Sequence, residues 1–108
     1  MIINLTPHEV NIFIDEETMI VLPKCETPAR CTTSNVYLGE FEGVPIYHVV
    51  YENVLNLPNP QVGVIFVVSA IVAQAVKNRD DVFAPDSGTS AIRNSSGQIV
   101  AVRGLLKH

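Results

Sequence analysis

The residues best suited to chemistry gather in the last third of the chain, directly after its longest apolar run. That run, from Val62 to Val68, ends at Ser69, and a charged turn, RDD, begins at Arg79. Arginine binds phosphate through two parallel hydrogen bonds, and an aspartate can hold ribose hydroxyls. These residue types favour a phosphorylated, nucleotide-like small molecule as ligand. The predicted ligand-binding residues are Ser69, Arg79, Asp86, Ser87, Thr89, Ser90, Arg93, Arg103 and, near the N-terminus, His8.

Ser69 separates two kinds of composition. Residues 64–68 are β-branched or aromatic, which favours a buried strand. Residues 69–78, SAIVAQAVKN, are richer in Ala and Gln, which favours a helix with Ser69 as its N-cap and an end near Lys77 and Asn78. The free amides at the start of such a helix suit an anion. The phosphate hypothesis therefore depends on Arg79 or Arg93 reaching the Ser69 end of the helix.

Each of these residues also has a purely structural interpretation. Arg79 can pair with a nearby aspartate, either Asp81 or Asp86. Ser69 can be a helix cap and nothing more, and the segment PDSG that begins at Pro85 can be an ordinary tight turn. The sequence leaves both interpretations open.

Signatures of catalysis and metal binding are weak. Ser69 lies between a strand and a helix as a hydrolase nucleophile does, but the surrounding VVSAI lacks the glycines of G-x-S-x-G. His8, His48 and His108 occur in unrelated contexts and form no metal-ligand spacing. We therefore predict no catalytic residue, no metal and no cofactor. A small hydrolase of phosphodiester or N-glycosidic bonds, with His8 as general base, is the least favoured alternative.

The two cysteines, Cys25 and Cys31, enclose a short loop. A disulfide, two free thiols and a metal site are all conceivable for them. Met1 leads directly into IINL, without the charged and apolar regions of a secretory leader. We therefore expect a reducing compartment, the cytoplasm, and free thiols.

Length and composition restrict the class of protein. A chain of 108 residues predicts a single domain spanning 1–108. With 47% apolar and only 17% charged residues, the surface is expected to carry apolar patches of the kind that mark interfaces, which predicts a homo-oligomer. The net charge of −4 argues against general nucleic-acid binding. The apolar run 62–76 is shorter than the roughly 20 residues of a membrane-spanning helix.

Alternation of apolar and polar residues predicts an α+β fold, with a mostly antiparallel β-sheet, hairpins and one short helix following a central strand. Strands are expected at Thr89–Arg93 and Gln98–Leu105, with Gly97 between them suited to positive φ. Residues 29–33 are expected to form a short edge strand, and residues 53–61 a loop. The three hairpin turns are predicted at Asp15–Glu17, Glu40–Gly43 and Asn94–Gly97.

Two motifs carry a resemblance to a known family. The opening INLTPHEVNI and the closing RDDVFAPDSGTSAIRNSSGQIVAVRGL, together with VSAIVAQAV, resemble a family of small, mostly uncharacterised bacteriophage and prophage proteins of about this length. The resemblance is weakest between Asp15 and Tyr51, and Gly104 stands where a second basic residue beside Arg103 is expected.

The resemblance implies an intracellular phage accessory protein, placed in the cytoplasm of the host cell. Several phage proteins of this size sequester nucleotide immune signals, and this analogy suggests a non-enzymatic anti-defence sponge. The alternative is a structural or protein-interaction module that forms an obligate homo-oligomer.

Overall fold

A computed structural model describes all 108 residues and shows an α+β protein with ten strands and one helix, which confirms the predicted fold class. The helix follows β6, the central strand of the main sheet, as the sequence predicted. No helix of the protein has the length and apolar character needed to cross a membrane. The elements are β1 Ile2–Asn4, β2 Val10–Phe13, β3 Met19–Leu22, β4 Arg30–Phe41, β5 Val44–Leu55, β6 Ile65–Val67, α1 Ala70–Ala75, β7 Val82–Pro85, β8 Ile92–Arg93, β9 Ile99–Ala101 and β10 Leu105–Leu106.

The main sheet has four strands in the order β1-β6-β7-β10. Strands β1 and β6 pair in parallel, with Ile2 opposite Ile65, and β6 and β7 also pair in parallel, with Phe66 opposite Val82. Only β10 is antiparallel to its neighbour, β7. Parallel neighbours require a crossover, and α1 supplies it between β6 and β7. The antiparallel pairs of the fold are therefore the hairpins outside this sheet and its β10 edge.

The core lies on both faces of β6. Phe66 and Val68 pack with the buried residues of α1, Val72 and Ala73, on one face. Val67 packs on the other face, where the β2–β3 hairpin contributes Val10, Ile12 and Leu22 and the chain after β9 contributes Val102. Successive residues of a strand point to opposite faces, so one short apolar strand serves both clusters. The result is three layers, with the sheet between the helix and the β2–β3 hairpin.

The predicted hairpin turns are present, but two strands are longer than expected. The turn between β4 and β5 consists of Glu42 at φ 51° and Gly43 at φ 82°, the two-residue geometry that suits the twist of a hairpin. The expected edge strand at 29–33 is instead the base of β4, a strand of 12 residues. Strand β5 continues to Leu55, into the segment expected to be loop. Cross-strand pairing along the whole ribbon overrides the local turn signals.

The C-terminal elements are shorter than expected. The predicted strand at 98–105 is two strands, because the chain bends after β9 and β10 pairs with β7 rather than continuing the hairpin. Gly97 has φ 81°, as predicted for that turn. Ser69 is the N-cap of α1, as predicted, but the helix ends at Ala75, with Val76 as its C-cap. At Val76 the backbone leaves the helical region, with φ −123° and ψ 35°, and a β-branched residue favours a helix less than alanine does.

Candidate functional site

The carboxyl ends of the three parallel strands lie at one edge of the main sheet. Strand β1 ends at Asn4 and leads into Thr6–His8, β6 leads into Ser69, and β7 leads into Ser87. In sheets with parallel strands, ligands commonly bind in the crevice outside these ends. This edge is therefore where a site is expected on topological grounds.

A cavity of about 430 Å³ occupies this edge, and we call it the main pocket. Its apolar wall includes Val68, Ile99 and Val102. Asn11, on β2, also lines it, and its side-chain oxygen is buried without a hydrogen-bond partner. The pocket thus offers a ligand an apolar surface bordered by polar side chains. Its lining residues are Thr6, Pro7, His8, Glu9, Val10, Asn11, Val68, Ser69, Pro85, Ser87, Ile99 and Val102.

A second cavity, of about 230 Å³, adjoins the main pocket and shares Pro7 and Ser69 with it. We call it the Arg30 pocket, because Arg30 is its charged lining residue. The chain has a single ion pair, between Arg79 and Asp81, so the Arg30 guanidinium has no carboxylate partner. Arg30 is also solvent-exposed. The two cavities together present apolar surface, hydroxyls and one unpaired cation. The remaining lining residues of the Arg30 pocket are Pro28, Ala29, Cys31, Ile71 and Val72.

The loop that carries Pro7 and His8 is held by the side chain of Asn4. The Asn4 amide nitrogen donates to the carbonyl oxygens of His8 at 2.8 Å and Pro23 at 3.0 Å. Its side-chain oxygen accepts from the backbone N–H of Thr6 at 2.9 Å and from the Thr6 hydroxyl at 2.7 Å. Asn4 and Thr6 are both buried, whereas Pro7 and His8 are exposed. The NLTPH segment is thus a fixed loop that presents Pro7 and His8 to the pockets.

Ser69 lies between the two cavities and also caps α1. Its hydroxyl oxygen accepts from the backbone N–H of Val72 at 3.4 Å, which leaves the hydroxyl hydrogen for another acceptor. Because α1 has only six residues, its dipole is small and contributes little to anion binding. A phosphate at this site would therefore depend on Arg30 and on hydroxyl groups.

Arg79 lies in a different depression, lined by Pro60, Asn78 and the two aspartates of the RDD turn. Its Nε and Nη2 donate to the Asp81 carboxylate at 2.9 and 2.7 Å. Arg79 therefore pairs with a nearby aspartate, as its structural interpretation predicts. This ion pair raises the pKa of Arg79 and lowers the pKa of Asp81, through the hydrogen bonds between the two side chains. The Arg79 guanidinium carbon lies 6.0 Å from the centre of the Phe66 ring.

Asp86, Ser90 and Arg93 are engaged in their own turns. Asp86 accepts from the Ser90 hydroxyl at 2.9 Å and from the backbone N–H of Gly88 at 3.3 Å. Arg93 donates to the carbonyl oxygen of Gly97, at 2.7 Å, across its hairpin turn. Of the nine predicted residues, the structure brings three together in the main pocket: His8, Ser69 and Ser87. The six that line neither this pocket nor the Arg30 pocket are Arg79, Asp86, Thr89, Ser90, Arg93 and Arg103.

Sequence reasoning missed Asn11 and Arg30. Asn11 follows Val10 in an alternating strand, a position that predicts an outward-facing side chain. Arg30 stands between Pro28 and Cys31 in a segment without a motif. The backbone N–H of Ala29 donates to the Leu5 carbonyl oxygen at 2.9 Å, which holds the start of β4 beside the loop after β1, and no local signal predicts this contact.

The two cavities and the loop between them define the site. Comparison of the chain with protein-family models, with curated proteins and with solved structures gives no match. The geometry of the pockets is therefore the basis for a functional proposal.

The Arg79–Asp81 pair predicts a pH-dependent effect on stability. Because folding lowers the pKa of Asp81 from its ordinary value of 3.8, the stabilisation is present above that value and is lost as the pH falls through the folded-state pKa. We expect Asp81→Asn to lower the free energy of unfolding by about 0.5–1 kcal/mol at pH 7 and by almost nothing at pH 2. Urea unfolding at both pH values measures this.

Asp80→Asn is the matched control, since Asp80 is the exposed neighbour and forms no ion pair. It should leave the stability at pH 7 nearly unchanged. An equal loss for Asp81→Asn at both pH values would contradict the assignment of the stabilisation to the charged pair.

Proposed function

We propose that the protein is a non-enzymatic binder that sequesters a phosphorylated, nucleotide-like small molecule. The main pocket takes the base and sugar, and the Arg30 pocket takes the phosphate. The observation that carries the proposal is the adjacency of two cavities of different chemistry, which share Pro7 and Ser69 at the carboxyl edge of the parallel strands.

The main pocket suits a flat, partly apolar group with hydrogen-bonding edges. Its volume of about 430 Å³ falls in the range of roughly 300–1,000 Å³ that is usual for small-molecule sites. Val68, Ile99 and Val102 offer apolar contact, and the side chains of Asn11, Ser69 and Ser87 in the lining are groups that can hydrogen-bond a ligand. A nucleoside has both kinds of group.

The Arg30 pocket suits the phosphate. An arginine without a carboxylate partner keeps its full hydrogen-bonding capacity and binds phosphate oxygens through two parallel bonds. Ser69, shared by both cavities, has a hydroxyl hydrogen left to donate to the same group. Arg30 thus takes the role that we predicted from the sequence for Arg79 or Arg93.

Binding without turnover is favoured by the state of Ser69. Its oxygen accepts from the Val72 amide, and it forms no hydrogen bond with His8, the histidine in the lining of the same pocket. A serine nucleophile needs such a base to be activated. A role as an anti-defence sponge in the cytoplasm of a host cell fits a protein that binds a nucleotide signal and does not convert it.

We expect Arg30→Ala to weaken nucleotide binding about tenfold or more, since a charge-assisted contact to phosphate is lost. Isothermal titration with cyclic nucleotides and with ADP-ribose measures the dissociation constants of the wild type and the variant. The matched control is Arg93→Ala, which removes an exposed arginine that lines neither pocket and should leave affinity unchanged. Equal affinity of Arg30→Ala and wild type would contradict the assignment of the phosphate to Arg30.

The same protein samples test for turnover. Each ligand is incubated with the wild type and separated by chromatography, and we expect the starting compound to be recovered intact. A product that is abolished by His8→Ala would favour the hydrolase alternative. No binding of any compound in the panel would contradict the nucleotide proposal itself.

A further inference from the structure

The longest element of the fold is a two-stranded ribbon, residues 30–55, which we call the arm. Its base is attached to the core: Cys31 and Val54 pack against the main cluster, and the Tyr51 hydroxyl donates to the Gln74 side-chain oxygen of α1 at 2.7 Å. Between this base and the turn at Glu42, nearly every residue is exposed. Twelve residues per strand span about 40 Å, and the protein is correspondingly elongated, with extents of 52 × 38 × 23 Å.

Apolar side chains are concentrated on the arm. The arm contains 26 of the 108 residues but ten of the twenty exposed large hydrophobic residues. At about half exposure each, ten such side chains present on the order of 1,000 Å². The largest apolar patch on an ordinary monomer is about 300–600 Å². The ten residues are Val36, Tyr37, Leu38, Phe41, Val44, Ile46, Tyr47, Val49, Tyr51 and Leu55.

The strand register divides these side chains between the two faces of the ribbon. Tyr37 pairs with Tyr47 on one face, where the rings form an edge-to-face contact at 5.7 Å, and Tyr51 lies on the same face and reaches α1. The opposite face, which we call the apolar face, is formed by Val36, Phe41, Val44 and Ile46. These four side chains are 43–68% exposed. The body of the protein therefore covers the base of one face and leaves the apolar face open.

The charge pattern indicates what covers the apolar face. Residues 31–39 on β4 and residues 44–51 on β5 contain no Asp, Glu, Lys or Arg, and the acidic residues Glu40 and Glu42 lie at the tip. His48, opposite Val36, is the one titratable side chain on the apolar face. A face without Asp, Glu, Lys or Arg selects neither an acidic nor a basic partner, and no fixed charges repel each other when it meets its own copy. Two copies can therefore meet in an isologous contact, in which the same patch serves both partners.

The low stability of an isolated ribbon also favours a second copy of the chain as the partner. A two-stranded hairpin is at best marginally stable in water unless another layer packs on it. A second arm supplies that layer. A stable complex needs about 800 Å² from each partner, an area that the ten exposed apolar side chains of the arm supply together and the four of the apolar face do not supply alone. We infer that the arm is a self-association surface, through which two copies of the chain pack their arms together around the apolar faces.

Ile46→Lys on the apolar face tests the inference. The wild type is expected to sediment as a dimer or a larger even-numbered assembly at micromolar concentration. A lysine in the middle of the contact should raise the dissociation constant at least a hundredfold and give a monomer at the same concentration. Sedimentation velocity and light scattering after size exclusion measure the mass. The matched control is Val21→Lys on β3, because Val21 is 47% exposed and Ile46 is 43% exposed, and it should leave the mass unchanged.

Val44→Lys, at a 61% exposed position of the same face, guards against a folding defect that is specific to one site. Circular dichroism should show the wild-type spectrum for all three variants, since none of them lies in the core. A monomeric wild type would overturn the inference. A monomer that sediments with phosphatidylglycerol vesicles would overturn it too, because the arm would then bind lipid instead of a second copy. An assembly that survives both Ile46→Lys and Val44→Lys would overturn it as well.

Discussion

Asn4→Ala is expected to lower the free energy of unfolding by about 3–4 kcal/mol, a large part of the 5–15 kcal/mol of a typical domain. The Asn4 side chain is buried and is bonded at both of its ends, to His8 and Pro23 through nitrogen and to Thr6 through oxygen. Alanine removes these bonds and leaves the buried backbone N–H of Thr6 without the Asn4 oxygen, while the Thr6 hydroxyl keeps the His8 carbonyl oxygen at 2.9 Å. Unpaired buried groups cost more than the bonds themselves contributed.

The matched control is Asn94→Ala. Asn94 also bonds through its side-chain oxygen, to the backbone N–H groups of Ser96 and Gln98 at 3.0 Å, but it lies in an exposed hairpin turn where water replaces the lost contacts. Its loss should cost about 1 kcal/mol or less. Urea unfolding followed by circular dichroism measures both variants. If both variants lose the same free energy of unfolding, burial is not the reason that the Asn4 hydrogen bonds stabilise the fold.

Asn4 also links stability to the site. The bond from its side chain to the His8 carbonyl oxygen fixes the loop that presents Pro7 to both cavities. Loss of this bond should therefore weaken nucleotide binding even at temperatures where the variant is still folded. Titration of Asn4→Ala well below its melting temperature separates the two effects. Unchanged affinity there would mean that the pockets do not depend on the fixed loop.

The features that could be predicted from the sequence are local ones. The cap at Ser69, the turn at Asp15–Glu17 and the positive φ of Gly97 each follow from residue type and immediate neighbours. The α+β class follows from the alternation pattern, which is also a local property. The parallel pairing of β1 with β6 joins residues more than 60 positions apart, and no turn signal specifies it.

The candidate site was harder to predict for the same reason. His8, Ser69 and Ser87 were selected from their types, and the parallel strands bring them to one edge. Arg79 and Arg93 were selected for their charge, but each satisfies it nearby, with Asp81 and with the Gly97 carbonyl oxygen. A partner two or four residues away is within reach of a long side chain whatever the rest of the fold does. Arg30 and Ser69 line one cavity only because long-range contacts of the fold bring their segments together.

Phe66 is the residue at which the core and the site depend on each other most directly. Its side chain is fully buried, and its strand leads into Val68 and Ser69, which line the main pocket. Its neighbours come from α1, from β7 and from the chain after β1, so a void at this position is bordered by three elements that are fixed by other contacts. Such a void cannot close by a shift of one side chain.

Phe66→Ala should therefore destabilise the fold by about 3–5 kcal/mol, the usual cost of removing a buried phenylalanine. Phe66→Leu, which leaves a smaller void, should cost roughly 1–2 kcal/mol and provides a measurement if the alanine variant does not fold. The matched control is Phe83→Ala on β7, where the side chain is only half-buried and a smaller loss is expected. Chemical unfolding of the set gives the order. Both substitutions remove the same side chain, so only the position differs. If Phe83→Ala lowers the free energy of unfolding as much as Phe66→Ala does, the Phe66 cluster is not the centre of the core.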